Sequence, residues 1–139
     1  MILKRPTITV ERSPQSRSFV AIATYVPIAR WRDVPKAARL SGRVEAQIKK
    51  APGAISYSLA VNPLRRQFWT CSVWADRAFA EAFTSAEPHA TAVARFAEWA
   101  GEGAAFVEWQ ATSPRLEWSE AFERLETPTR YYAGPSDQP

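Results

Sequence analysis

The segment 54–74 constrains the fold more than any other part of the chain. Two runs, AISYSLAV (54–61) and QFWTCSVW (67–74), flank a break, NPLRR, that opens on Asn62-Pro63. In the first run Ile55, Tyr57, Leu59 and Val61 alternate with Ser56, Ser58 and Ala60, the period of a strand with one strongly apolar side. The second is β-branched and aromatic, and the break is about as long as a hairpin turn, so the two runs are predicted to pair antiparallel.

Flanking segments supply the remaining elements. FVAIATYV (19–26) predicts a buried strand ended by Pro27. Pro35 suits a first helical turn, Ala37, Leu40, Val44, Ile48 and Ala51 recur at helical spacing, and Pro52-Gly53 is a stop. Asp76 stands where an N-cap belongs, ahead of Ala78, Phe79, Ala82 and Phe83; Thr84-Ser85 interrupts, and Pro88 opens a second helical stretch carrying His89, Val93, Phe96, Ala97 and Ala100. After Gly101 and Gly103, AAFVEWQA predicts a strand with Ala105, Val107 and Trp109 on one side and Phe106, Glu108 and Gln110 on the other. Residues 119–126 have the pattern of a short helix. The expected organisation is an extended arm over 1–17 outside the core, with Thr7–Val10 as a short strand, a domain over 18–127, and a loose tail over 128–139.

Strand, helix, strand, strand, helix, strand is the order of the α+β class, in the ferredoxin-like βαββαβ form: an antiparallel sheet with both helices on one face. The other face, made of Trp, Phe, Val and Cys, is costly to leave in water at about 25 cal/mol per Å². The expected cover is a second copy, which makes the protein a homodimer.

Composition excludes several functions. No apolar run approaches the roughly 20 residues of a membrane helix, and 1–17 carry charges where a signal peptide would be apolar. A soluble, cytoplasmic protein with no membrane partner is expected. The single Cys71 excludes an internal disulfide, and one histidine excludes most protein-built zinc sites. The net charge of +4 conceals a division: residues 1–66 hold 13 Lys/Arg against 3 Asp/Glu, and 67–139 hold 5 against 11. Lys4, Arg5, Arg12 and Arg17 lie in a Pro/Ser-rich leader, and Arg39, Arg43, Lys49 and Lys50 on the polar side of the first helix. Without a recognition motif this is read as a solvated face, and nucleic acid is not expected as a partner. There is no G-x-S-x-G elbow and no phosphate-cradling glycine loop.

The block FWTCSVWADRAFAEAFTSAEPHATAVARFAEWA (68–100) resembles the dimeric α+β barrels that include the antibiotic biosynthesis monooxygenase-like proteins, a likeness extending over about 19–111. With GAISYSLA (53–60), Phe83 and His89 it is most similar to the spheroidene monooxygenase group. The resemblance implies two ferredoxin-like protomers joined by their sheets. Among its members are cofactor-free oxygenases, haem-degrading and haem-dependent enzymes, and proteins without known activity. In haem-degrading relatives a histidine of this helix is the axial ligand, aided by an Asn in the first strand and a Trp in the helix. Here the strand offers Thr24 and Tyr25, and the helix Phe79 and Phe83.

His89 is the principal candidate, as haem ligand or proton-transfer group, because it is the only imidazole in the chain; the competing reading is a packing residue. Tyr25 is the second catalytic candidate, and Tyr57, Cys71 and Asn62 are further polar groups on strands. Trp69, Cys71, Trp74, Phe83 and Trp109 are the expected pocket, against the alternative that such rings simply pack the core. The only metal expected is a haem iron at His89, with no cofactor as the alternative. The function expected is a monooxygenase-like oxidoreductase acting on an apolar or aromatic small molecule. The alternative is a non-catalytic dimeric ligand-binding or structural protein of the same fold.

Overall fold

Strict alternation along the long strands gives each of them two different surfaces, and the sheet uses both. The computed structural model describes residues 1–131. Its elements, in chain order, are β1 (Leu3–Lys4), β2 (Ile8–Thr9), β3 (Phe19–Pro27), α1 (Val34–Ile48), β4 (Ala54–Asn62), β5 (Gln67–Trp74), α2 (Arg77–Ser85), α3 (His89–Trp99), β6 (Ala105–Ala111), α4 (Trp118–Leu125) and β7 (Arg130–Tyr131). The sheet is antiparallel in the order β1-β4-β5-β3-β6-β7, with β2 also on β4. The predicted hairpin is β4–β5, with Ser58 opposite Cys71, and Ala23 of β3 lies opposite both Cys71 and Val107. The four long strands and the helices between them form the ferredoxin-like unit read from the sequence.

Local signals act where they were placed. The Asp76 carboxylate accepts the Phe79 N–H at 3.1 Å and starts α2. Gly53 turns the chain from α1 into β4 at φ +82°, and a Cβ there would lie 2.1 Å from Cγ of Phe79, so both backbone and space require glycine. On the helix side two apolar clusters form, one around Ile48, Tyr57, Trp74 and Phe83, the other around Ile28, Leu40, Ala92 and Trp99.

The opposite face corrects the expectation that a second copy must cover it. Ala23, Cys71 and Val107 are buried against Ala121 of α4, with Trp109, Leu116, Trp118 and Leu125 closing the cluster. Phe19, Ala21, Ile55 and Val73 are covered by Ala75, Trp109, Ala111 and Leu116. Trp118 Nε1 donates to Ser58 Oγ at 3.1 Å, fixing α4 to β4. The short helix expected near 119–126 is therefore a roof: one chain covers both faces of its four long strands. The homodimer read from an exposed sheet loses that premise.

The arm is not outside the fold either. Its strands extend β4 at the sheet edge, and Ile8 and Val10 pack on the helix-side core. Ser58 Oγ donates to the Arg5 carbonyl at 2.8 Å, and the Arg5 guanidinium grips both oxygens of Glu45 on α1 at 3.1 and 3.0 Å. Of the expected tail, Arg130–Tyr131 pairs with β6; 132–139 lie outside the described residues.

A chamber between the sheet and three helices

Between the helix-facing side of the sheet and α1, α2 and α3 lies a cavity of about 370 Å³, within the usual range for small-molecule sites. Its wall is mostly apolar: Ile22, Val26, Leu59, Phe68, Trp74, Phe83, Val93 and Phe96 among others. Polar groups are few and placed. On the strand floor Thr24 and Thr70 hydrogen-bond to each other through their hydroxyls, and Trp74 Nε1 donates to Ser72 Oγ at 2.9 Å. Glu45 and Tyr57 form another part of the wall, the tyrosine hydroxyl donating to the carboxylate at 2.7 Å. Arg77, Glu81 and Glu108 are also in the wall, the guanidinium lying 3.2 Å from Glu81 and 3.0 Å from Glu108.

His89 opens α3 and is half-buried in the wall. Its ring lies 4.8 Å from that of Phe83, which in turn lies 5.0 Å from Trp74. Nδ1 is 3.2 Å from the Thr84 carbonyl. A carbonyl can only accept, so Nδ1 carries the proton and the neutral ring is left with its lone pair on Nε2. Burial moves the His89 pKa below the ordinary histidine value, opposed by the bond to Thr84. Gln47 of α1 fixes the site from behind: its Nε2 donates to the Phe83 carbonyl at 3.1 Å, and its Oε1 accepts the His89 N–H at 2.9 Å. One side chain thus joins the end of α2 to the start of α3.

Two titrations follow, with different signatures. A folded state that holds His89 neutral binds fewer protons than the unfolded chain, so stability falls as pH drops through the ordinary histidine range. Glu45 is held below the usual carboxylate range, first by its hydrogen bond from Arg5 and also by that from Tyr57. Its contribution is present above that range and is lost only as pH falls through the lower, folded value. Denaturation midpoints measured against pH are expected to decline between about pH 7 and 5, and the decline should flatten in His89→Gln while the acid-side loss remains. A His89→Gln profile that keeps the same slope near neutrality would contradict the assignment.

The expected site residues divide between the two faces. His89, Trp74 and Phe83 are in the chamber wall, as is Tyr57. Tyr25, Trp69 and Trp109 are not. Tyr25 and Trp69 pack together at 5.4 Å on the α4 side, in a shallow groove with Phe122, and the Tyr25 hydroxyl accepts from Gln67 Nε2 at 2.9 Å. Trp109 packs under α4, its Nε1 buried without a hydrogen-bond partner among the described residues. Asn62 is buried at the turn end of β4, away from the chamber. Cys71 borders the cavity, but its thiol belongs to the α4-side cluster, where burial pushes its pKa up to about 12, so it is inert as a nucleophile. The sequence reading missed Thr24–Thr70, Glu45 and Gln47; the alternation of β3 and β5 puts both threonines on the Trp74 side, whereas Gln47 carried no signal.

Haem is a poor match for this wall. His89 alone has the arrangement of an iron ligand, one ring nitrogen tied to a carbonyl and the other unspent. Haem also carries two propionates, and the charged groups here are Glu45, Glu81, Glu108 and an arginine already held by two of them. Carboxylates facing carboxylates disfavour that ligand.

The fold is that of the antibiotic biosynthesis monooxygenase-like α+β proteins. It is similar to a solved antibiotic biosynthesis monooxygenase at TM-score 0.60 and 16% identity, covering 66% of this chain and 97% of that one. A candidate antibiotic biosynthesis monooxygenase from Nitrosomonas europaea matches at TM-score 0.61 and 16% identity, over 73% of this chain and 97% of that one. A haem-degrading enzyme from Listeria monocytogenes matches at 0.54 and 15%, over 64% and 59%. No protein-family model matches the chain, and no curated relative matches it in sequence. The likeness to the spheroidene monooxygenase group therefore rests on the residues quoted for it.

Proposed function

We infer that the protein is a monooxygenase-like oxidoreductase that takes a small, largely apolar or aromatic molecule into the chamber, with His89 Nε2 as its proton-transfer group. One observation carries this reading: the chain's single imidazole lies in the wall of an apolar chamber, with Nδ1 committed to a carbonyl and its pKa lowered. A neutral imidazole poised in this way can take a proton from an acidic O–H or C–H of a bound ring. The fold shared with named monooxygenases supports the reaction type. The three glutamates among the few polar groups of the wall favour a neutral substrate and a reaction without haem, and one chain supplies the whole chamber. Tyr25, on the other face, has no part in it.

Oxygen uptake and product formation with a panel of hydroxylated naphthalenes test this. His89→Gln is expected to lower kcat by about 10²–10⁴-fold while ligand binding, read by quenching of tryptophan fluorescence, stays close to that of the unaltered protein. Unaltered turnover in the variant would remove His89 from the reaction, and binding with no turnover in either protein would favour the ligand-binding protein without catalysis.

A further inference from the structure

Seven large hydrophobic side chains are exposed among the described residues, and five of them, Met1, Ile2, Leu3, Trp31 and Leu64, gather at one end of the sheet. Two turns meet there. The 28–33 turn after β3 and the 62–66 turn between β4 and β5 are locked by the Ile28 N–H to the Arg66 carbonyl at 2.8 Å and Arg66 Nε to the Ile28 carbonyl at 2.9 Å. The same guanidinium lies 5.1 Å from the Trp31 ring, which is 58% exposed; Leu64 is 82% exposed. Leu3 lies opposite Val61, so Ile2 and Met1 run on toward the 62–66 turn. Single exposed hydrophobics are ordinary, but five at one end are not.

The end is also cationic. Arg30, Arg32 and Arg65 are exposed on the two turns, beside Arg66. Asp33 is buried and lies 3.9 Å from Lys36; the exposed acids toward this end are Glu102, on the turn that reaches Ala29 through Gly101, Glu98, which is paired with Arg95, and Glu126, in the groove with Gln67.

We propose that this end docks on the surface of an anionic lipid bilayer, with Trp31 and Leu64 entering the boundary between headgroups and acyl chains and Arg30, Arg32 and Arg65 against lipid phosphates. An amphipathic indole and projecting aliphatics ringed by arginines match that boundary in both polarity and sign. Single-stranded nucleic acid is the lesser match, since Leu64, Met1 and Ile2 offer bases no stacking surface and the one exposed indole has Arg66 over one of its faces. Contact is with the surface only: no helix among the described residues is long and apolar enough to cross a membrane. Val26 and Phe68 of the chamber wall lead into these turns, so the docked end adjoins the chamber.

Co-sedimentation of the full chain with phosphatidylcholine vesicles, with and without phosphatidylglycerol, tests the proposal. Anionic vesicles are expected to bind at least about tenfold more tightly than neutral ones, and salt near 1 M, where screening acts within about 3 Å, should release the protein. The doubles Trp31→Ser/Leu64→Ser and Arg30→Glu/Arg65→Glu should each weaken binding at least about tenfold; the salt series on the unaltered chain stands if a variant misfolds. No binding to anionic vesicles, equal binding to both kinds without salt dependence, variants that bind like the unaltered protein, or capture of a single-stranded oligonucleotide in place of vesicles would each overturn it.

Discussion

Trp74→Ala is expected to lower the unfolding free energy by about 3–5 kcal/mol, the range for removing a large aromatic from a packed core. Trp74 is 1% exposed, sits between Ile48, Ala80 and Phe83, and spends its N–H on Ser72. The substitution loses the packing and leaves a void continuous with the chamber, so little collapse can offset the cost. It also has a second readout. Trp74 backs Phe83, and Phe83 backs His89, so loss of the indole should admit water to the imidazole and return its pKa toward the ordinary value, visible by NMR titration. Urea denaturation measures the first effect. A loss below about 1 kcal/mol would mean that the indole does not pack as described.

Ala121→Asp should be at least as damaging, through the other face. Ala121 is wholly buried where α4 meets Ala23, Cys71 and Val107, and the one cation of α4, Arg124, is held on Glu120 and over the Trp109 ring. An ionised carboxylate there is left unpaired, at a cost of several kcal/mol, and the helix escapes it by lifting off. The face then exposed carries Ala23, Cys71, Val107 and Trp109, and concentration-dependent self-association is expected in sedimentation velocity. Unchanged sedimentation together with an unchanged denaturation midpoint would show that α4 does not seal that face.

The alternation in 54–74 was enough to give the hairpin, and Asp76, Pro35 and Gly53 marked their helix ends, because each acts through neighbours in sequence. The role of α4 was not legible. A short amphipathic helix declares an apolar stripe but not what that stripe covers, and an uncovered sheet face was assigned to a partner when the same chain supplied the cover. The site shows the same division. His89 stood out by being the only imidazole, while Tyr25, Trp69 and Trp109 were assigned by residue type alone, and the pleat carries them to the far side. Gln47 acts through hydrogen bonds to residues 36 and 42 positions away, which no local pattern records.

The pairing of the arm along β4 has one more effect. A lateral strand of nine residues would otherwise present a row of open amides and carbonyls on which another molecule could build, the first step of fibrillar stacking. Here Leu3–Lys4 and Ile8–Thr9 occupy that row in two short pieces, and Pro6 between them has no amide hydrogen to offer the next strand. The fold thus terminates its own ladder, and the guanidinium of Arg5 on Glu45 holds the terminator in place.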